Sequence, residues 1–390
     1  MKLSKLLTFA LLVCLLQIVC PSRVFAQKRT TAARAVVHTA RDTEIAAQFA
    51  PVFRQGLGDT RRHDYITNFD FDGDWRGDNN WDNSDDARYP QRAYVYYAVS
   101  ETVTHFLVHY AVFHPRDYKG GSARGRVLSQ IIREGARRGG RYDPTGLSSE
   151  AVLAHENDME GCLVVASKTG ADLKRARVVY VETLAHDRFL KYVPVAAVEG
   201  AASSESAPER GGVDARVRLD ASGRPELYVE PRGHGVYAFD AEKHGRAGET
   251  LAYRFTGRAD DPEESSATEV GYALVPLATT IWPRARGGVN QTFGAVYGYG
   301  ARSFSAAGGA ARAVKRQVAL GDLGVAFRGL KGAPNAARPP WGWFDRTERG
   351  RARGEWFFDP AATVKRHFKL GEDFSITYTH APFLGLARKS

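Results

Sequence analysis

Two adjacent runs constrain the fold of this chain more than any other feature. Ala93 to Val99 and Val103 to Phe113 are dense in β-branched and aromatic residues. Such side chains lose rotamer freedom in a helix and pack well on a pleated surface. The break at Ser100-Glu101 is too short for a crossover, so the two runs read as an antiparallel hairpin. Similar runs recur at 161–168, 177–184, 214–219, 226–231, 235–239, 270–276, 292–299 and 373–380, with turn residues between them. Many short strands and few helical stretches predict an all-β protein, a β-sandwich with a few short helices and irregular surface insertions. One helix is expected over Thr43–Phe53, where Ile45, Ala46, Phe49 and Val52 share a face.

The N-terminus has the pattern of an export leader. Lys2 and Lys5 precede the apolar run Leu6 to Val19, and Val24-Phe25-Ala26 offers a cleavage site, so residues 1–26 read as a signal peptide. The apolar run is short for a membrane span. The expected location is secreted or periplasmic. Residues 27–40 read as a flexible lead, and 41–390 as a single large domain with a Gly- and Arg-rich basic insertion at 119–145 around a short helix, Val127 to Arg138. Cys14 and Cys20 fall in the leader, which leaves Cys162 alone and no disulfide within the processed chain. The net charge of +10, carried mostly by arginine, suits an anionic lipid head group or glycan, or a plain solvated surface. With no zinc-finger pattern and no basic run interleaved with aromatics, nucleic acid is not an expected partner. A monomer is expected.

Two acidic segments carry candidate chemistry. Asp70, Asp72, Asp74 and Asp78 alternate with Gly73 and Gly77, the composition of a calcium loop or of an Asx-rich turn held by its own side chains. Trp81 stands where an EF-hand would place its glutamate. The second segment, His155-Glu-Asn-Asp158-Met-Glu160, runs into the apolar Cys162-Leu-Val-Val165. On an extended backbone Asp158 and Glu160 share a face, which suits a metal or polar pocket at a strand's start. The other reading is a solvated acidic loop.

His155-x-x-Asp158-x-Glu160 resembles the core of the Gly-His-Arg-His-Asp-Trp-Glu heptapeptide of the necrosis- and ethylene-inducing protein (NLP) cytolysins. It is equally similar to the His-Glu-Gly-Asp-Trp-Glu motif of the vacuolar protein sorting-associated family and its bacterial relatives. Phe113-His-Pro-Arg-Asp117 resembles the strand end that supplies a further aspartate in the cytolysins. Phe49-Ala-Pro-Val52, Leu227 to Tyr237 and Pro340-Trp-Gly-Trp343 are similar to elements of the vacuolar-sorting-like family. Met159 replaces the motif's tryptophan, and the insertion at 119–145 lengthens the gap after Asp117. The resemblance implies a divalent cation on Asp117, His155, Asp158 and Glu160. Three carboxylates and one imidazole favour Ca²⁺, Mg²⁺ or Mn²⁺. It also implies recognition of a glycan or lipid head group through that cation. The alternative is a metal-dependent phosphoester or ester hydrolase, with His234, Glu156 or His186 handling the proton. His105, His109 and Cys162 read as structural.

Overall fold

The computed structural model describes residues 38–118, 154–170, 172–195, 212–245, 250–264, 268–308 and 312–388. The expected leader, nearly all of the lead and the insertion at 119–145 lie outside the described residues. Among the described residues there are fourteen strands: β1 (Val52–Gly56), β2 (Tyr94–Thr102), β3 (His105–Tyr118), β4 (Ala154–Ser167), β5 (Arg177–Ala185), β6 (Arg188–Pro194), β7 (Ala215–Val217), β8 (Glu226–Val229), β9 (Val236–Ala238), β10 (Thr250–Phe255), β11 (Glu269–Pro276), β12 (Phe293–Ala307), β13 (Ala313–Phe327) and β14 (Thr377–His380).

The expected hairpin is β2–β3, antiparallel with Tyr96 opposite Ala111 and Glu101 opposite Phe106. The sheet runs β7-β6-β5-β4-β3-β2-β11-β10-β1-β8-β9, and β14 joins the β12–β13 ribbon to β2. Its far edge, β9, returns to lie against β5 and β7. The protein is therefore mostly β with few short helices, as expected. The strands form one curled, nearly closed, barrel-like sheet, and the pairing does not show the two separate sheets of a sandwich. No helix among the described residues is long and apolar enough to cross a membrane.

Both faces of the central strands are buried, which explains the near-continuous apolar runs. Val95, Tyr97 and Val99 of β2, with Val108, Tyr110 and Val112 of β3, enter one core with Phe53, Tyr253 and Tyr272. Tyr96, Ala98, Leu107 and Phe113 enter the other, covered by Phe293, Trp341, Trp356 and Phe357. The short helix Ala40–Gln48 packs Ile45 and Ala46 onto the first core. It starts earlier than expected because Thr39 and Asp42 form a capping box. Pro51 disfavours helical backbone at Ala50, so Val52 opens β1 and does not extend the helix. Strands β1, β6, β10 and β13 lack a signal strong enough to read. In β13, Ala, Gly, Lys and Arg hide the alternation, and the long ladder with β12 supplies the strand state.

One buried ion cluster braces the outer face. Glu182 of β5 is fully buried and accepts from His367 Nδ1 and Trp356 Nε1, both at 2.5 Å. Glu348 accepts from the other imidazole nitrogen at 2.8 Å. Burial alone would lower the His367 pKa, but Glu182 and Glu348 raise it to about 9. A folded pKa above the unfolded value of about 6.5 stabilises the fold fully below about pH 6.5, and the contribution fades as pH rises toward 9. Denaturation midpoints should therefore fall between pH 6.5 and 9 by the equivalent of about 3 kcal/mol. His367→Leu should flatten that slope, leaving the share that other buried histidines contribute; an unchanged slope would refute the assignment.

Candidate functional site

The β3–β4 ladder places Asp117 opposite His155, His114 opposite Asp158 and Val112 opposite Glu160. Strict alternation would put His155 on the face away from Asp158. Asn157 lies between them at φ +62°, a left-handed conformation that interrupts the pleat. Asp117, His155, Asp158 and Glu160 consequently all line one cleft of about 610 Å³, together with His186 from the β5–β6 turn, Arg338 and Trp343.

The strained turn is held from outside the hairpin. The Asn157 amide donates to the carbonyls of Gly77 and Arg328, both at 2.8 Å, and its oxygen accepts from Asn80 at 2.6 Å. Glu156 accepts backbone N–H groups from Trp81, Leu330 and Lys331. It is buried and joins two loops to the start of β4, away from the proton-handling position suggested for it. The Asp70–Asp78 loop supplies one of those anchors. Its carboxylates accept from nearby donors: Asp70 from Asn68, Asp72 from Asn83 and the Asp74 N–H, Asp74 from Asn79 and the Arg76 N–H, and Asp78 from Arg76. This is the bonding of the Asx-turn alternative, which holds its shape through local amides.

Beneath the cleft lies a relay centred on the candidate His234, with partners in Asp64 and His114 that the sequence did not suggest. His234 is fully buried and donates to Asp158 Oδ2 at 3.0 Å and to Asp64 Oδ1 at 3.2 Å. Burial opposes its charge, but the two carboxylates raise its pKa to about 10, so it is an imidazolium at neutral pH. Its ring stacks on His114, with centroids 3.6 Å apart. Burial and the charge of His234 push His114 well below the usual range, so it is neutral and donates to Gln55 Oε1 at 3.0 Å. With both nitrogens engaged, His234 positions Asp158 and is closed to a substrate.

His186 reaches the cleft as well. Its side chain is 39% exposed, and Nε2 meets Glu230 Oε1 at 2.6 Å. Its N–H donates to the Glu160 carboxylate at 2.8 and 3.0 Å. Burial, reinforced by Asp158, Glu230 and Asp117, lifts the Glu160 pKa well above the usual carboxylate range. Asp158 moves the other way: burial would raise it, but the His234 bond and the charges of His155, His234 and His186 hold it low. Four of the six non-glycine residues with positive φ among the described residues, Asn157, His186, Arg232 and His234, surround this site. Local strain of this kind collects where the surrounding structure fixes a functional geometry.

The donor chemistry suits a hard divalent cation. His155 Nδ1 lies 2.6 Å from the Asn157 carbonyl, which directs Nε2 toward Asp117 Oδ2 at 3.5 Å. As the side chains stand, however, no group of three His, Cys, Asp or Glu among the described residues is arranged to hold a metal ion. Asp158 is turned to His234, and Glu160 to the His186 N–H.

No family model matches the chain, and no curated protein matches it. Two solved structures are similar to it at a low level. One, described as "Toxin fold for microbial attack and plant defense", is 12% identical with a TM-score of 0.24, over 50% of this chain and 67% of that one. The other, the crystal structure of the non-toxic HaNLP3 protein, is 10% identical with a TM-score of 0.23, over 60% of this chain and 73% of that one. Both neighbours are NLP cytolysin-like; the vacuolar-sorting family is not shown. Scores this low carry no argument about what the cleft does.

Proposed function

We propose that the cleft binds a divalent cation, Ca²⁺, Mg²⁺ or Mn²⁺, through Asp117, His155, Asp158 and Glu160, and with it a glycan or lipid head group outside the cytoplasm. The observation that carries this reading is that all four side chains line one cleft. Loading requires modest side-chain rotation, with Asp158 keeping one oxygen on His234 and Glu160 turning toward the cleft. A bound cation would offset the burial and the mutual repulsion that together drive Glu160 toward its protonated form. When bound, the ion supplies positive charge to a ligand's hydroxyl or phosphate oxygens. The chain's own residues then orient that ligand, His186 from one side and Trp343 from the other.

The test is retention of the full chain on glycan-coated and anionic-lipid surfaces, with Ca²⁺ and with chelator. Retention should need the cation and should fall at least about tenfold in Glu160→Gln, the size of a lost charge-assisted contact. Equal retention in chelator would refute the reading.

A second reading, metal-dependent hydrolysis of a phosphoester or ester, is favoured by one observation: the exposed His186–Glu230 pair has the form of an oriented general base. No Ser, Thr or Cys is among the described residues lining the cleft, so water would be the nucleophile. Metal-dependent turnover that His186→Gln abolishes, without weakening ligand retention, would select this reading over pure binding.

A further inference from the structure

Arg338 and Arg346, which line the first cleft, belong to a segment with five arginines, Arg338, Arg346, Arg349, Arg351 and Arg353. Its two acids are engaged elsewhere. Asp345 accepts from the N–H groups of Phe189 and Thr347, and Glu348 is bound to His367 and Arg366. Among the described residues, no carboxylate forms an ion pair with Arg338, Arg349, Arg351 or Arg353. Arg338 is half-buried and lines the first cleft. Burial lowers its pKa, Arg353 lowers it further, and no carboxylate acts on it. Buried guanidinium groups are normally paired, so an uncompensated one beside a cleft marks a place for an anion.

The segment continues into a second cleft of about 460 Å³, which shares Trp343, Phe344 and Arg346 with the first. Arg353 lies 4.7 Å from the Phe344 ring centroid and 5.6 Å from that of Tyr297. Phe344 and Tyr297 are 38% and 42% exposed. Arg353 also donates to the Gly342 carbonyl at 3.2 Å, so these guanidinium groups lack an anion and not every partner. Partly exposed rings beside guanidinium groups without a carboxylate match a ligand with both a ring and fixed negative charge.

We propose that Arg338, Arg349, Arg351 and Arg353, flanked by Phe344 and Tyr297, form a binding site for a sulfated or phosphorylated saccharide. The site stands on the arginine wall and does not rest on the cation reading, so it is measured in chelator, where cation-dependent binding is silent.

The experiment is calorimetric titration of the full chain in EDTA with a heparin-derived hexasaccharide. Its desulfated counterpart, inorganic sulfate and anionic-lipid vesicles serve as separate arms. The sulfated oligosaccharide should bind, sulfate should compete, and the desulfated sugar should bind at least about tenfold more weakly. Arg338→Gln should cost at least about tenfold, and so should the exposed double variant Arg349→Gln/Arg351→Gln, which leaves the core untouched. Arg258→Gln, an exposed arginine on another loop, should cost nothing. Equal binding by wild type and both wall variants would overturn the proposal. So would an equal loss in Arg258→Gln, which would mean diffuse charge attraction, or binding confined to the vesicles.

Discussion

Asp158→Ala is expected to cost roughly 3–5 kcal/mol of stability, far more than a typical loss at a strand end. The variant removes one of the two carboxylates that hold the buried imidazolium of His234, leaving that charge shared with Asp64 alone. His234 should then lose much of its raised pKa and tend toward neutrality. Removal of charge alone, in Asp158→Asn, keeps a hydrogen-bond acceptor and should cost less. Urea denaturation of the three proteins checks the order: wild type, then Asp158→Asn, then Asp158→Ala. If Asp158→Ala melts like wild type, the relay is not holding the site together.

Gly161→Ala is expected to cost about 3 kcal/mol, at the upper end of overpacking effects. A Cβ on Gly161 would stand 2.0 Å from the Tyr110 carbonyl oxygen and 3.0 Å from both Ala111 Cα and Trp343 Cη2. The first two are backbone atoms of β3 and cannot rotate away. The β3–β4 ladder would have to open next to Glu160. Trp343 would also shift, although its indole N–H is held by the carbonyls of Met159 and Arg338 at 2.9 and 3.0 Å. The substitution should therefore reduce ligand retention as well as stability. A fold of unchanged stability would show that the ladder is looser than this geometry requires.

The hairpin at the centre of the sheet was legible because alternate residues of β2 and β3 enter two different cores, so that between Ala93 and Val99 and between Phe106 and Phe113 nearly every residue is apolar or aromatic. The sandwich expectation differed because the sequence specifies strands one at a time, whereas curling is set by pairings such as β11 with β2 and β1 with β8. The set Asp117, His155, Asp158 and Glu160 was legible through the motif resemblance, and these residues do line one cleft. What held it was not legible. Asp64 reaches His234 across 170 positions, and Asn157 reaches Arg328 across 171. Local pattern carries no signal over such distances. Arg338 was also missed: in sequence it is one arginine among many, and only its half-buried place in the cleft that the carboxylates also line sets it apart.

Divalent-ion binding by chelator-stripped protein, titrated with Mn²⁺ and Ca²⁺, tests the central claim most directly. Wild type is compared with Asp117→Asn/Glu160→Gln, both checked for folding by thermal melt. This pair leaves the His234 relay intact, so a lost site is not a lost fold. The account predicts a saturable site in wild type that the folded double variant lacks. Equal binding by the two proteins, or no saturable binding by wild type, would contradict it.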